Sequence, residues 1–168
     1  MQKTGRLLAH RLGQLFIELD YESWICIGQN KGVDLKVYDS KGSMFLVAEI
    51  LNWSVKTNLT ETRKNKIIKN LLGYNCDRVL IYTTMGNEYY LDDLEQMGIS
   101  TLKLGYQILP KVFYRHFEYR KQVIDRRIDS RETTLHIKSK LIEYLFPPRL
   151  EALTNLIDKA TFGHRFRK

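Results

Sequence analysis

The run Met44-Phe45-Leu46-Val47-Ala48-Glu49-Ile50-Leu51 is apolar at every position but one. A run of this length, bounded by turn residues, reads as a strand buried on both faces, the kind found inside a sheet covered by a layer on each side. The exception, Glu49, is expensive in such a place unless its charge is paired or bound to a cation. Upstream, Gly32-Val33-Asp34-Leu35-Lys36-Val37-Tyr38 alternates apolar and polar residues, and Ser40-Lys41-Gly42-Ser43 between the two runs reads as a turn. The expectation is a hairpin with one acid on each strand. Side-chain alternation puts Asp34 on one face with Lys36, and Glu49 with Val47 and Leu51. Two carboxylates converging from paired strands suit a hard cation, Mg²⁺ or Mn²⁺, which accepts one or two carboxylates together with water and phosphate oxygens and so serves metal-assisted phosphodiester hydrolysis. The plainer alternative is a pair of ordinary strand acids, facing solvent or matched with Lys36 or Lys41.

The rest of the chain supplies a frame for that hairpin. Leu7, Leu8, Arg11, Leu12, Leu15 and Leu19 recur at helical spacing, which predicts an amphipathic helix over Thr4 to Asp20. Trp24-Ile25-Cys26-Ile27 predicts a strand within Tyr21 to Gly28, so that three strands follow in a meander. Asn58 followed by Glu61 predicts a capping box opening a helix that runs to Leu72 or Gly73. Its apolar face would hold Leu59, Ile67, Ile68, Leu71 and Leu72, with Arg63, Lys64, Lys66 and Lys69 opposite. A strand over Arg78 to Thr84, an acidic helix over Tyr89 to Met97 and a strand over Ile99 to Leu104 complete an αβββαβαβ order: an α/β fold with a mixed sheet flanked by helices. Glu88, Asp92, Asp93 and Glu95 read as the exposed surface of a connecting helix. Beyond Pro110 the pattern turns helical, over Lys111 to Asp129, Thr133 to Phe146 and Leu150 to Ala160, with Pro147-Pro148 as a stop. The expected division is an α/β core over 1–106 and a basic helical extension over 107–168.

This order of elements, with an acid before the hairpin turn and Glu49-Ile50-Leu51 after it, resembles the PD-(D/E)xK nuclease superfamily, which includes restriction endonucleases and Holliday-junction resolvases. The resemblance covers roughly the first two thirds of the chain. It implies a restriction-endonuclease-like fold in which Asp34 and Glu49 bind Mg²⁺ or Mn²⁺ and a lysine two residues after the glutamate orients or activates the attacking water. Leu51 occupies that position here. A displaced positive charge would have to come from Lys36, Lys56, Lys64 or Lys66, with Lys36 and Lys56 foremost, although a solvated lysine is the ordinary reading of each. The glutamate that the family often carries on its first helix has no counterpart near Ala9 and His10. Three functions follow: a divalent-metal-dependent DNA nuclease; a degenerate module of the same fold that holds DNA or RNA without cutting it; and a dimeric assembly protein that uses its C-terminal helices.

Charge favours a polyanionic partner. Met1 to Pro110 carries thirteen Lys and Arg against twelve Asp and Glu, whereas Lys111 to Lys168 carries fourteen against seven, so nearly all of the net +8 lies in the last third. Such a surface attracts phosphate backbones in a salt-dependent way without reading sequence. Arg63, Lys64 and Lys66 on the second helix, and Arg115, Arg120, Lys121, Arg126 and Arg127 among the aromatic residues beyond Pro110, are the expected nucleic-acid contacts. Phe113, Phe117, Ile124 and Ile128 read first as residues packing on the core or a partner at helical spacing, with the arginines available on the other face. Cys26 and Cys76 have no metal-site spacing, and His10, His116, His136 and His164 share none either. No apolar run reaches membrane length and the N-terminus shows no signal-peptide pattern, so a cytoplasmic protein is the expectation; many nucleases of the resembled kind are dimers, which leaves a homodimer open.

Overall fold

The computed structural model describes residues 3–26, 32–113 and 125–147. It is an α/β fold: α1 (Lys3–Glu18), β1 (Glu22–Ile25), β2 (Leu35–Tyr38), β3 (Met44–Leu51), α2 (Glu61–Leu72), β4 (Asp77–Tyr82), α3 (Leu91–Gln96), β5 (Ser100–Lys103), β6 (Gln107–Leu109), a short 3₁₀ turn over Lys111–Phe113, β7 (Arg126–Ile128) and α4 (Arg131–Leu145). Strands β1 to β5 form one mixed sheet in chain order, antiparallel through β1, β2 and β3 and parallel through β3, β4 and β5. β3 is the central strand, and its last six residues are all buried. That is the outcome the apolar run demands, since a strand covered on both faces has no solvent side on which to place polar residues.

Two cores lie on opposite faces of the sheet. On one, Leu8, Ala9, Leu12, Leu15 and Phe16 of α1 and Ile137 and Leu141 of α4 pack on Leu35, Val37, Leu46, Ala48, Ile50, Val79 and Ile81. On the other, Leu59, Ile67 and Leu71 at and along α2, with Leu91 and Leu94 of α3, pack on Val33, Val47, Leu51, Leu80 and Tyr82. From Leu46 onward the parity is that of the strand, even-numbered residues of β3 facing α1 and odd-numbered ones α2; before the register shift opposite Tyr38 it is reversed, with Met44 against the α2-side core and Phe45 against the α1-side one. Glu49 is therefore turned towards α2.

Two local expectations are corrected. The cap of α2 is Thr60, whose hydroxyl accepts from the Arg63 amide at 3.2 Å, and not Asn58. Asn58 instead sits against Gly86, where an added Cβ would collide with the Asn58 amide and come within 2.9 Å of the Val55 carbonyl oxygen. Arg126 to Ile128, expected to be helical, is a strand that pairs in parallel with β6, and Lys111–Phe113 is a single 3₁₀ turn. Three-residue strands are too short for periodicity to reveal, and they exist here through tertiary pairing.

Described residues beyond 106 are tied into the first core. Ile108, Ile137 and Leu141 are all buried in the cluster around α1. Asn52, next after β3, donates to the carbonyls of Thr4 (2.7 Å) and Ile108 (2.8 Å) and accepts from the Ile108 amide at 2.9 Å. Arg11 on α1 meets Asp129, just after β7, at 2.6 Å. No helix among the described residues is long and apolar enough to cross a membrane.

Candidate acid-pair site

Asp34 immediately precedes β2, and its backbone already belongs to the ladder: its amide donates to the Ala48 carbonyl at 3.0 Å and its carbonyl accepts from the Cys26 amide at 2.9 Å. Its side chain crosses to β3, where Oδ2 accepts from the Ile50 amide at 2.8 Å. This contact holds one carboxylate of the pair beside the backbone of the strand that carries the other. Glu49 is only 4% exposed. Its Oε1 accepts from Asn70 Nδ2 of α2 at 2.9 Å.

Burial disfavours the Glu49 carboxylate, and the charge of Asp34 and a hydrogen bond with it add to that, so the carboxyl is pushed up to about 8; Asn70 and the charge of Arg63 act in the opposite direction but do not prevail. Without a cation the pair thus keeps a proton at neutral pH. Two acids held this close need a proton or a positive ion between them, because like charges repel strongly in a poorly solvated site. Both contribute oxygen donors only, as a hard divalent cation requires, and two carboxylates are enough for Mg²⁺ or Mn²⁺ when water and phosphate oxygens complete the shell. Among the described residues no set of three His, Cys, Asp or Glu side chains gathers to hold a metal.

The expected companions of the acids occupy varied places. Leu51 is 2% exposed and packed in the α2-side core. Lys36 shares the face of Asp34, and its ammonium lies 5.4 Å from the centre of the Tyr74 ring. Lys56 is exposed in the loop after β3, its amide bonded to Ser54 Oγ. Lys64 is engaged elsewhere, bonded to Asp93 at 2.9 Å and lying over Tyr90. Lys66 is exposed. Arg126 and Arg127, adjacent on β7, project to opposite sides, and Arg127 stacks on Tyr106. Arg115, Arg120 and Lys121 lie outside the described residues, as does the helix expected over Leu150 to Ala160.

Sequence reasoning missed Asn70 altogether, and it offered Arg63 as a nucleic-acid contact on a basic face opposite the apolar side of the helix, without linking it to Glu49. Arg63, Ile67 and Asn70 follow one another at intervals of four and three residues, which puts them on one side of α2. That spacing was available in the sequence, but nothing there said that this side looks onto Glu49. Of the acids in and just before α3, Asp93 takes Lys64, Glu88 takes Lys103 and Glu95 takes the Thr101 hydroxyl. Cys26 and Cys76 are free thiols, and burial pushes both up, away from an activated thiolate. His136 is a packing residue, stacked on Tyr106 and bonded to the Leu104 carbonyl at 2.7 Å. Comparison of the chain with protein-family models, with curated proteins and with solved structures gives no match.

Proposed function

We propose that this chain is a nucleic-acid-binding protein of restriction-endonuclease-like architecture, in which Asp34 and Glu49 hold Mg²⁺ or Mn²⁺ for hydrolysis of DNA phosphodiester bonds. One observation carries the reading. A buried glutamate in the central strand, and an aspartate anchored to that strand's backbone, are kept together although their charges oppose each other. A stability-driven fold would gain by replacing Glu49 with an apolar residue, as at neighbouring Val47 and Leu51, so its presence points to use. When bound, the cation would polarise a phosphate oxygen and lower the pKa of a bound water. The protein's own residues would fix it: the Ile50 amide orients Asp34, and Asn70 orients Glu49.

The test is incubation of labelled duplex, single-stranded and branched DNA, and of RNA, in Mg²⁺, Mn²⁺ or EDTA, with an Asp34→Ala control. Metal-dependent cutting that disappears in the variant is the expected result. Cutting that survives in D34A would end the assignment. The assay belongs at about pH 8.5 or above, since the cation must displace the proton held by the pair.

The burial of Leu51 favours a second reading, a module of the same architecture that binds nucleic acid without cutting it. The position that would carry the family's lysine is sealed in an apolar cluster. Salt-sensitive binding to every substrate, cleavage of none and no response to Mn²⁺ would select this reading.

A further inference from the structure

The face of α2 turned towards Glu49 begins with Arg63. Asn70 and Ile67 fix where that face points, the first by its bond to Glu49 and the second by its burial in the α2-side core. Arg63 itself is half-buried. Its amide is held by the Thr60 cap, which sets the residue firmly at the start of the helix. Its guanidinium is less settled: Nε is sealed from solvent without a hydrogen-bond partner, and among the described residues the side chain forms no salt bridge. Nε is too enclosed to reach a ligand itself, but the two terminal nitrogens are not among the sealed atoms and make no side-chain hydrogen bond among the described residues, so the end of the guanidinium is open to an acceptor from outside.

The other cations near the acids are less suitable. Lys64 is bound to Asp93, Lys36 lies over Tyr74, and the position of the family's lysine is the apolar Leu51. Arg63 alone among them joins a position on the Glu49-facing side of α2 to an unmatched donor. A guanidinium presents a planar fork of donors that fits two phosphate oxygens at once, which an ammonium cannot do.

We infer that Arg63 is the phosphate-binding cation of this site, donating to the non-bridging oxygens of a phosphodiester seated beside Asp34 and Glu49 and supplying the positive charge that the chain lacks at Leu51. The inference rests on the reading of the acid pair as a nucleic-acid site, and it assigns the charge to a residue outside the Glu-x-Lys pattern. Arg63 acts in binding, and so its effect is present without metal.

The experiment measures the affinity of a fluorescein-labelled DNA duplex by anisotropy in EDTA, over a series of salt concentrations, for the parent, R63Q and R63K, each checked by circular dichroism. Loss of one phosphate contact should weaken R63Q about five- to tenfold near 0.15 M salt and reduce the slope of log affinity against log salt by about one. R63K should keep the slope and lose part of the affinity, because the charge remains and the fork is gone. Parental affinity and slope in R63Q would overturn the inference while leaving the nucleic-acid reading intact. A parent that binds no duplex would overturn both. If R63Q fails to fold, R63K decides: affinity equal to that of the parent overturns the inference, and weaker affinity at unchanged slope supports it. Weaker binding by R63Q that follows a loss of thermal stability, with the slope unchanged, marks a structural role and also overturns it.

Discussion

Replacing Glu49 by Gln preserves the side chain's length and shape and removes its titration. The substituted carboxamide would keep an oxygen for the Asn70 amide and gain an N–H that can donate to Asp34, so neither neighbour is stranded. In the metal-free parent the carboxyl rises from 4.5 to about 8, first through burial and then through Asp34. A carboxyl whose folded pKa exceeds its unfolded value binds its proton more tightly in the folded state, so stability is fully present below about pH 4.5, falls as the pH rises, and levels off above about 8. At about 1.4 kcal/mol per pH unit within that window, the parent gives up on the order of 3 kcal/mol by pH 7 and on the order of 5 kcal/mol above pH 9. Those are large fractions of the ~5–15 kcal/mol that typically separates a folded domain from its unfolded chain. E49Q should match the parent near pH 4.5 and exceed it by about 3 kcal/mol at pH 7. Urea unfolding followed by circular dichroism, in EDTA from about pH 4.5 to 9, reads this directly. With a slope of ~1–3 kcal/mol per molar urea, the midpoints should separate by about 1–3 M at neutral pH. Parallel profiles for the two proteins would refute the reasoning, because they would mean that Glu49 ionises in the folded state as readily as in the unfolded one.

Further outcomes follow from the same contacts. Thr60→Ala removes the hydroxyl that caps α2 and should cost about 1 kcal/mol in denaturant unfolding, whereas Thr60→Ser should recover most of it. Asn52→Ala leaves the carbonyls of Thr4 and Ile108 and the amide of Ile108 without their shared partner, for a loss of about 3 kcal/mol and hydrogen-exchange protection reduced first at β6. Gly86→Ala drives a methyl group against the Val55 carbonyl and the Asn58 amide and should lower stability by about 1–3 kcal/mol, read as a drop in melting temperature. Mn²⁺ binding, followed by calorimetry, should tighten as pH rises towards about 8 and lose most of its pH dependence above it, since below that value the metal displaces the proton on Glu49. Affinity independent of pH between about 6 and 8 would place the ion somewhere other than this pair.

The acid pair has two states set by a single balance. With a proton on Glu49, the hydrogen bonds from the Ile50 amide to Asp34 and from Asn70 to Glu49 hold the geometry of the pair. In the proposed metal-bound form the proton would leave and both carboxylates would serve as ligands. Arg63 shifts that balance towards the ionised form, since its charge lowers the proton affinity of Glu49. If its guanidinium also meets a phosphate, as inferred above, its removal should show in ligand binding and in salt dependence as well.

Much of the framework could be read from residue order alone because it is local. The run from Met44 to Leu51 had to be an interior strand, the leucines of α1 had to face a core, and alternation placed Glu49 on the same side as Val47 and Leu51; each follows from a side-chain period of two or 3.6 along one segment. Short pieces escaped that logic. β6 and β7 have three residues each, pair only with each other, and display no period of their own. The α2 cap moved from Asn58 to Thr60 because Asn58 is pressed against Gly86, a contact with a segment distant in the chain. The site divides along the same line. Asp34 and Glu49 stand out as acids on facing strands, but Asn70 and Arg63 join them only because α2 packs over the odd-numbered face of β3, and that packing depends on Leu59, Ile67 and Leu71 meeting Val47, Leu51 and Leu80. Periodicity along a segment says which side of it is buried. Which buried side meets which other side, and so which charge ends beside Glu49, is decided by layer packing of the whole fold.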